Sequence, residues 1–412
     1  MLNWSQQFSG LAFLDSNNYT SAYSRYECLL AVGAATMIAN HGTDPLIQLQ
    51  EAHNLHPDWM FGHICYDYKN ILEPKLSSIH PTVHEYPQLQ FFVPETVVYI
   101  NSAKDTLTIE TLADADAVYY ALMQANEDKL VTTPLPKLTF TPTTTQQDYT
   151  NTINKLRQHI LDGDCYEINY CTGGSCTNVE IDAASVFDAL NKLSPAPFAA
   201  YYRLYHHHLI CASPERYLRK EGNHILSQPI KGTARRSKDL LKDENLKNEL
   251  QHNIKERAEN VMIVDLTRND LARCCVPGTV TVDELFGIYS FPQVHQMIST
   301  VSGKMLPNAP FTDAIRTTFP MGSMTGAPKY KVMQLIDEYE HSNRELFSGT
   351  VGYITPSGDF DFNVIIRSLF YNSHTRLLTY ETGGAITYDS VAESEWEERL
   401  LKAWALEQIF AG

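Results

Sequence analysis

Gly349-Thr350-Val351-Gly352-Tyr353-Ile354-Thr355-Pro356-Ser357-Gly358-Asp359-Phe360-Asp361-Phe362-Asn363-Val364-Ile365-Ile366-Arg367-Ser368-Leu369-Phe370-Tyr371 and, past Asn372-Ser373-His374-Thr375, the run Arg376-Leu377-Leu378-Thr379-Tyr380-Glu381-Thr382 read as three successive strands over 349–355, 361–371 and 376–382. β-branched and aromatic residues dominate the runs, and Pro, Ser, Gly, Asp and Asn fill the short connections. Connections of that length join antiparallel neighbours, so the segment is a meander. A helix over about 392–409 follows it.

Working outward, 208–212, 216–219 and 224–228 are further strands, and a long charged helix is expected over 238–262. Ile153, Leu156 and Ile160 lie at helical spacing in a helix that ends at Gly163. The segment 132–147, rich in Thr and Pro, marks a boundary between regions 1–145 and 146–412. Before it, 89–93 and 96–100 read as strands, with helices expected at 24–40 and 113–126.

The 412 residues, 43% of them hydrophobic, suffice for a substantial core. A formal charge of −16 with no basic patch argues against nucleic acid and anionic membrane partners. The longest near-apolar run, Cys28 to Ala39, is shorter than the roughly 20 residues of a membrane helix. No secretory signal is visible, and eight scattered cysteines without a C-x-x-C pair point to a reduced, cytoplasmic setting.

Several residues could carry chemistry. Lys231, in Pro229-Ile230-Lys231-Gly232-Thr233, is a candidate amine nucleophile. Its ordinary pKa of about 10.4 would have to fall by burial or by a nearby cation for the free amine to be available. Glu256 with Glu259, and Glu395 with Glu398, are pairs three apart on helices; each pair could face one Mg²⁺ ion or simply face water. Glu215, in Ser213-Pro214-Glu215-Arg216 beside the apolar Leu209–Ala212, could be held protonated as a general acid, or be a turn glutamate at the surface. Arg367 lies in an apolar strand, where its guanidinium requires an anion from the protein or from a substrate. The loop Gly322–Lys329 before a helix, and Gly383-Gly384-Ala385 after the last strand, could offer backbone N–H groups to an anion. Read alone, each is a turn.

Taken in order, Gly163-Asp164-Cys165-Tyr166-Glu167-Ile168-Asn169, the Ser213 and Pro229 segments, Arg257-Ala258-Glu259-Asn260 through Thr267-Arg268-Asn269-Asp270, the Gly322–Lys329 loop, and Gly383-Gly384-Ala385 followed by Glu395-Trp396-Glu397-Glu398 closely resemble the chorismate-utilising enzymes, the family of anthranilate synthase component I. The resemblance spans about 148–410. Lysine at 231 resembles the aminodeoxychorismate synthase branch; anthranilate synthases have alanine there. Ala385 stands where the family has a third glycine, and Thr172-Gly173-Gly174 replaces bulkier residues.

The resemblance implies an α+β fold of two stacked antiparallel β-sheets flanked by helices, with the N-terminal region completing the sandwich. It implies Mg²⁺ around Glu259 and Glu398, with Glu256 and Glu395 near it, and chorismate as substrate. Lys231 would attack ring C2 while the C4 hydroxyl leaves with a proton from Glu215. Ammonia would then displace the lysine by attack at C4, giving 4-amino-4-deoxychorismate for para-aminobenzoate and folate synthesis. Tyr353 and Arg367 would hold the enolpyruvyl carboxylate, Gly383, Gly384 and Ala385 the ring carboxylate, and Thr325, His295 and Lys402 would complete the pocket. Leu14, Asp15 and Ser16 resemble a segment that lines a tryptophan site in relatives. No cysteine lies in a G-x-C-x-G elbow, so ammonia is expected from a separate glutamine amidotransferase subunit. The competing expectations are anthranilate or isochorismate synthase activity, or a catalytically silent subunit that binds tryptophan or a partner.

Overall fold

The computed structural model describes residues 1–19, 21–38, 44–127, 134–291 and 294–411. Thr132 and Thr133 of the expected boundary, and Ala39 and Asn40 of the expected first helix, lie outside the described residues. Among those described, the strands form two antiparallel sheets, one of eleven strands and one of ten, flanked by helices. This is the α+β architecture expected.

In the first sheet Glu167–Cys176, Leu377–Ile386, Ser368–Asn372, His207–Ser213, Phe198–Leu204, Gly10–Asp15 and Tyr26–Val32 are successive neighbours. In the second the order is Ile230–Arg235, Val294–Lys304, His224–Gln228, Arg216–Glu221, Phe360–Asn363, Thr350–Ile354, Met60–Ile64 and Leu89–Val93. Strands from before residue 145 thus continue both sheets. Phe61, Phe91, Leu218 and Phe362 are fully buried in one core cluster, each contributing about 2–3 kcal/mol by burial.

Segment 24–40, expected to be a helix, holds the strands Tyr26–Val32 and Thr36–Ile38. Leu29 and Ala31 join the core that includes Phe61, while Leu30 and Val32 join a second core with Phe187 and Leu190. A strand buried on both faces loses its alternation, and its apolar run cannot be told from a buried helix by pattern alone. The helix expected over 113–126 is present as Ala115–Glu127.

The strand expected over 361–371 is also revised. Phe360–Asn363 belongs to the second sheet and Ser368–Asn372 to the first, so Val364–Arg367 crosses between them. Arg367 therefore sits in a crossing rather than a strand, with left-handed backbone at φ 53°. A parallel event occurs between His207–Ser213 and Arg216–Glu221, where Pro214 and Glu215 carry the chain from the first sheet to the second. The crossings are tied together: the Val364 N–H donates to the Glu215 carbonyl at 3.0 Å, and Ser213 Oγ donates to the Val364 carbonyl at 2.5 Å.

The charged helix expected over 238–262 is two helices, Leu240–His252 and Ile254–Ala272. Asn253 breaks it. Its backbone is extended and its side chain accepts from the Glu256 N–H at 3.1 Å, an N-cap that starts a new axis. The terminal helix runs Ala392–Gln408. No helix among the described residues is long and apolar enough to cross a membrane.

Candidate active site

A cavity of about 960 Å³ opens where the two sheet crossings meet the helices Ile254–Ala272 and Ala392–Gln408. It brings together Lys231, Glu215, Arg367, Lys402 and all four helical glutamates, Glu256, Glu259, Glu395 and Glu398.

Lys231 reaches it through an irregularity in the sheet. The pairing of Ile230–Arg235 with Val294–Lys304 slips between Ile230 and Thr233, and a slip of this kind re-aims a side chain. Gly232 has φ +93°, and a Cβ there would stand 3.0 Å from Glu256 Oε2, so glycine is required where the helix comes close. Lys231 is buried, and its Nζ lies 2.5 Å from Glu167 Oε1. The sequence called for a lowered lysine pKa; the structure gives the reverse. Burial alone would lower it, but Glu167, then Glu259 and Glu215, more than offset burial, and the net shift is upward. These carboxyl neighbours favour the protonated amine.

Glu215 is 4% exposed, and its position inside a sheet crossing explains why. Burial raises its carboxyl to about 7, opposed by a hydrogen bond from Ser323 Oγ at 2.6 Å and by Lys231. A carboxyl at that value is half protonated near neutrality and can give a proton away.

The four glutamates form an under-neutralised wall. Burial lifts Glu259 to about 7 and raises Glu256 and Glu395 as well, with Glu398 adding to the shifts of Glu256 and Glu395. Glu398 goes the other way, held down by Lys402, whose Nζ is 2.7 Å from Glu398 Oε1. Lys255 stands between Glu259 and Glu395, 3.8 and 3.9 Å from them. Glu259 Oε1 is buried and has no hydrogen-bond partner among the described residues. Among the described residues, no three acidic, histidine or cysteine side chains converge closely enough to cage a metal.

Arg367 forms no ion pair among the described residues; it donates to the Lys402 carbonyl at 3.5 Å, and burial lowers its pKa. Gly383-Gly384-Ala385 lies within the strand Leu377–Ile386, not after it. Lys402 Nζ donates to the Gly383 carbonyl at 2.7 Å, on the edge away from Glu167–Cys176. Backbone direction alternates along a strand, so Gly383 and Ala385 face the cavity and Gly384 faces its partner strand. Gly383 and Ala385 line the cavity accordingly.

Three other expected site residues lie elsewhere. Tyr353 is on a strand of the second sheet and lines a separate pocket of about 70 Å³ with Leu14, Asp15 and Ser16. That volume holds a few waters, and the rings of Tyr26 and Tyr353 on its wall lie 5.8 Å apart. His295 points away from the cavity toward Asp243 Oδ1 at 3.2 Å and Ser290 Oγ at 2.8 Å. Thr325 is fully buried, its hydroxyl turned back to the carbonyls of Met321 and Gly322. Its neighbours Ser323 and Met324 line the cavity instead. The Asp270 of the Thr267–Asp270 segment pairs with Lys329 at 2.5 Å, which locks the Gly322–Lys329 loop against the helix behind it.

The sequence reading missed Glu167 and Ser323 as site residues. Both stood inside quoted motifs, but their partners, 64 and 108 residues away, gave no local signal.

Residues 14–408 match the chorismate binding enzyme family. The chain belongs to this family, whose substrate is chorismate. It is similar to aminodeoxychorismate synthase component 1 of Bacillus subtilis, at 30% identity over 374 residues, 87% of this chain and 78% of the relative. An anthranilate synthase component I-like protein of Synechocystis is 34% identical over 369 residues, 89% and 75% of the two chains. The crystal structure of anthranilate synthase component I from Streptococcus pneumoniae has a TM-score of 0.80 at 24% identity, covering 94% of this chain and 93% of that one. At that identity the likeness establishes the fold.

Proposed function

We propose that this chain aminates chorismate at C4, giving 4-amino-4-deoxychorismate through a covalent adduct of Lys231 at C2, in the synthesis of para-aminobenzoate and folate. The carrying observation is a buried lysine on the wall of the cavity that Glu215 also lines, in contact with the Glu167 carboxyl. Relatives named aminodeoxychorismate synthase component 1 support the choice within the family.

Arg367, which forms no ion pair among the described residues, holds one carboxylate of the dianionic substrate, and the backbone N–H groups of Gly383 and Ala385 face the other. The Lys231 amine bonds to C2, the ring double bond shifts, and the C4–O bond breaks as Glu215 gives its proton to the departing hydroxyl, which leaves as water. Ammonia then bonds to C4, the double bond shifts back, and the C2–N bond to Lys231 breaks.

The glutamate wall fits Mg²⁺ in kind: hard oxygen donors, an orphaned buried oxygen on Glu259, and three carboxyls short of counter-charge. Glu259 and Glu398 would hold the ion, with Glu256 and Glu395 beside them and Lys255 displaced. Bound there, it would offset the charge of the substrate's ring carboxylate.

All eight cysteines are buried, which supports an ammonia source outside this chain, a separate glutamine amidotransferase subunit. The test is purified chain with chorismate, Mg²⁺ and either ammonium or glutamine, products read by mass and ultraviolet spectrum. The C4 amine from ammonium and nothing from glutamine is expected. Anthranilate, isochorismate or no turnover at all would each overturn this reading.

A further inference from the structure

Glu167 touches Lys231 and is not among the residues that line the cavity. It is 1% exposed; Oε1 lies 2.5 Å from Lys231 Nζ, and Oε2 is buried with no hydrogen-bond partner among the described residues. Its backbone is pinned: Glu167 pairs with Ala327, and a Cβ on Gly326 would stand 2.0 Å from the Glu167 carbonyl oxygen. Among the described residues, the one hydrogen bond of this carboxyl is to the amine.

Five carboxyl groups bear on that amine. Glu215 comes from the sheet crossing, Glu256 and Glu259 from the helix Ile254–Ala272, Glu398 from the terminal helix, and Glu167 from the first sheet. Glu215 is engaged by Ser323 and serves as proton donor to the leaving hydroxyl. The three helical glutamates line the cavity, where a cation would meet them. Among the described residues, Glu167 is the one carboxylate in hydrogen-bond contact with Nζ, and it does not line the cavity.

We propose that Glu167 is the base that frees Lys231 for attack, taking its proton across the short Nζ–Oε1 contact when substrate fills the cavity. The inference rests on the lysine-adduct reading above. An ion pair this deeply buried is costly in solvation, and moving one proton from nitrogen to oxygen turns it into a neutral amine beside a neutral acid. The lone pair released on Nζ makes the bond to C2, and the proton waits on Glu167. When ammonia displaces the lysine, the departing amine recovers that proton, and Glu215 is recharged by the proton that the new C4 ammonium sheds. Chorismate and ammonia become the C4 amine and water, with every side chain back in its starting state.

The test compares wild type, Glu167→Gln and Glu167→Asp in two assays. In the first, without chorismate, Lys231 is modified at pH 7 by a small amine-reactive acylating reagent and its peptide quantified by mass spectrometry. In the second, chorismate turnover with ammonium and Mg²⁺ is followed against pH. Removing the carboxylate removes the charge that holds Lys231 protonated, so E167Q should label faster. Its turnover should nevertheless fall about a hundredfold, the usual loss when a general base is removed, and should rise with pH up to about 7 and then level off, where loss of the Glu215 proton offsets the gain in free amine, instead of declining there as wild type does. E167D should recover part of it. Turnover that rises in step with labelling would show Glu167 to be only an electrostatic clamp, and unchanged turnover would remove the role altogether. Should E167Q fail to fold, E167D carries the test: turnover about tenfold down is expected from a retracted base, roughly one pK unit of lost interaction, and wild-type turnover overturns the proposal. A wild-type enzyme that makes no C4 amine overturns the functional reading together with this inference, whereas normal wild-type product with unaltered variants overturns Glu167 alone.

Discussion

Ser323 Oγ donates to Glu215 Oε1 at 2.6 Å and so joins the loop before the helix Lys329–Tyr339 to the sheet crossing at Pro214–Glu215. A hydroxyl donor favours the ionised carboxylate, whereas burial favours the acid, and burial prevails. Chorismate turnover should decline as pH rises through about 7, where Glu215 loses its proton. In Ser323→Ala the donor is gone and the Glu215 pKa moves further up, so the falling limb should shift to higher pH. A limb that stays in place, in pH profiles of kcat/KM for the two proteins, would detach Glu215 from the protonation step.

Replacing Lys231 by alanine should abolish any ring adduct in the intact-protein mass spectrum and lower turnover by about 10³ or more. The Glu167 carboxylate would be left buried without its ammonium, so the melting temperature should drop too, consistent with the roughly 3–5 kcal/mol cost of breaking a buried pair. Undiminished amination by this variant would eliminate the covalent step.

Lys255 occupies the space between Glu259 and Glu395 that a dication would share. Lys255→Met should tighten Mg²⁺ binding about tenfold, roughly 1.4 kcal/mol for the loss of one competing charge. Glu398→Gln should weaken it. Calorimetric titration without chorismate reads both, and affinities that do not respond would place the ion elsewhere.

Acid should destabilise the fold through three buried histidines. Burial lowers His63 to about 4, and His84 and His208 to about 3. Below pH 6.5 the unfolded chain binds protons that these imidazoles refuse, so stability falls as pH drops from 6.5 toward 4, by up to about 1.4 kcal/mol per histidine per pH unit. Above 6.5 the contribution is fully present. Urea midpoints at pH 7 and pH 5 check the sign, and an enzyme equally stable at both would mean that these rings are solvated.

The hairpins around Pro356–Asp359 and Asn372–Thr375, the terminal helix and the strands that precede Lys231 were legible because each is a local pattern of turn formers and periodicity. The N-terminal strand Tyr26–Val32 was not, since burial on both faces erased the alternation that marks a strand. The crossing at Val364–Arg367 was hidden for a similar reason. Val364 and Ile365 are apolar because they lie inside the protein, and apolarity says nothing about which sheet claims the backbone. Of the expected site, the helical glutamates, Glu215, Lys231, Arg367 and Lys402 meet in one cavity, whereas Tyr353, His295 and Thr325 face other neighbours.

By itself the sequence determined the ordered run of motifs that places this chain among the chorismate binding enzymes, together with the position of an amine at residue 231. Only the tertiary structure decided which carboxyl that amine meets. A side chain's ionisation follows from the groups packed around it, and here the group in contact, Glu167, arrives from a different sheet, 64 residues earlier in the chain.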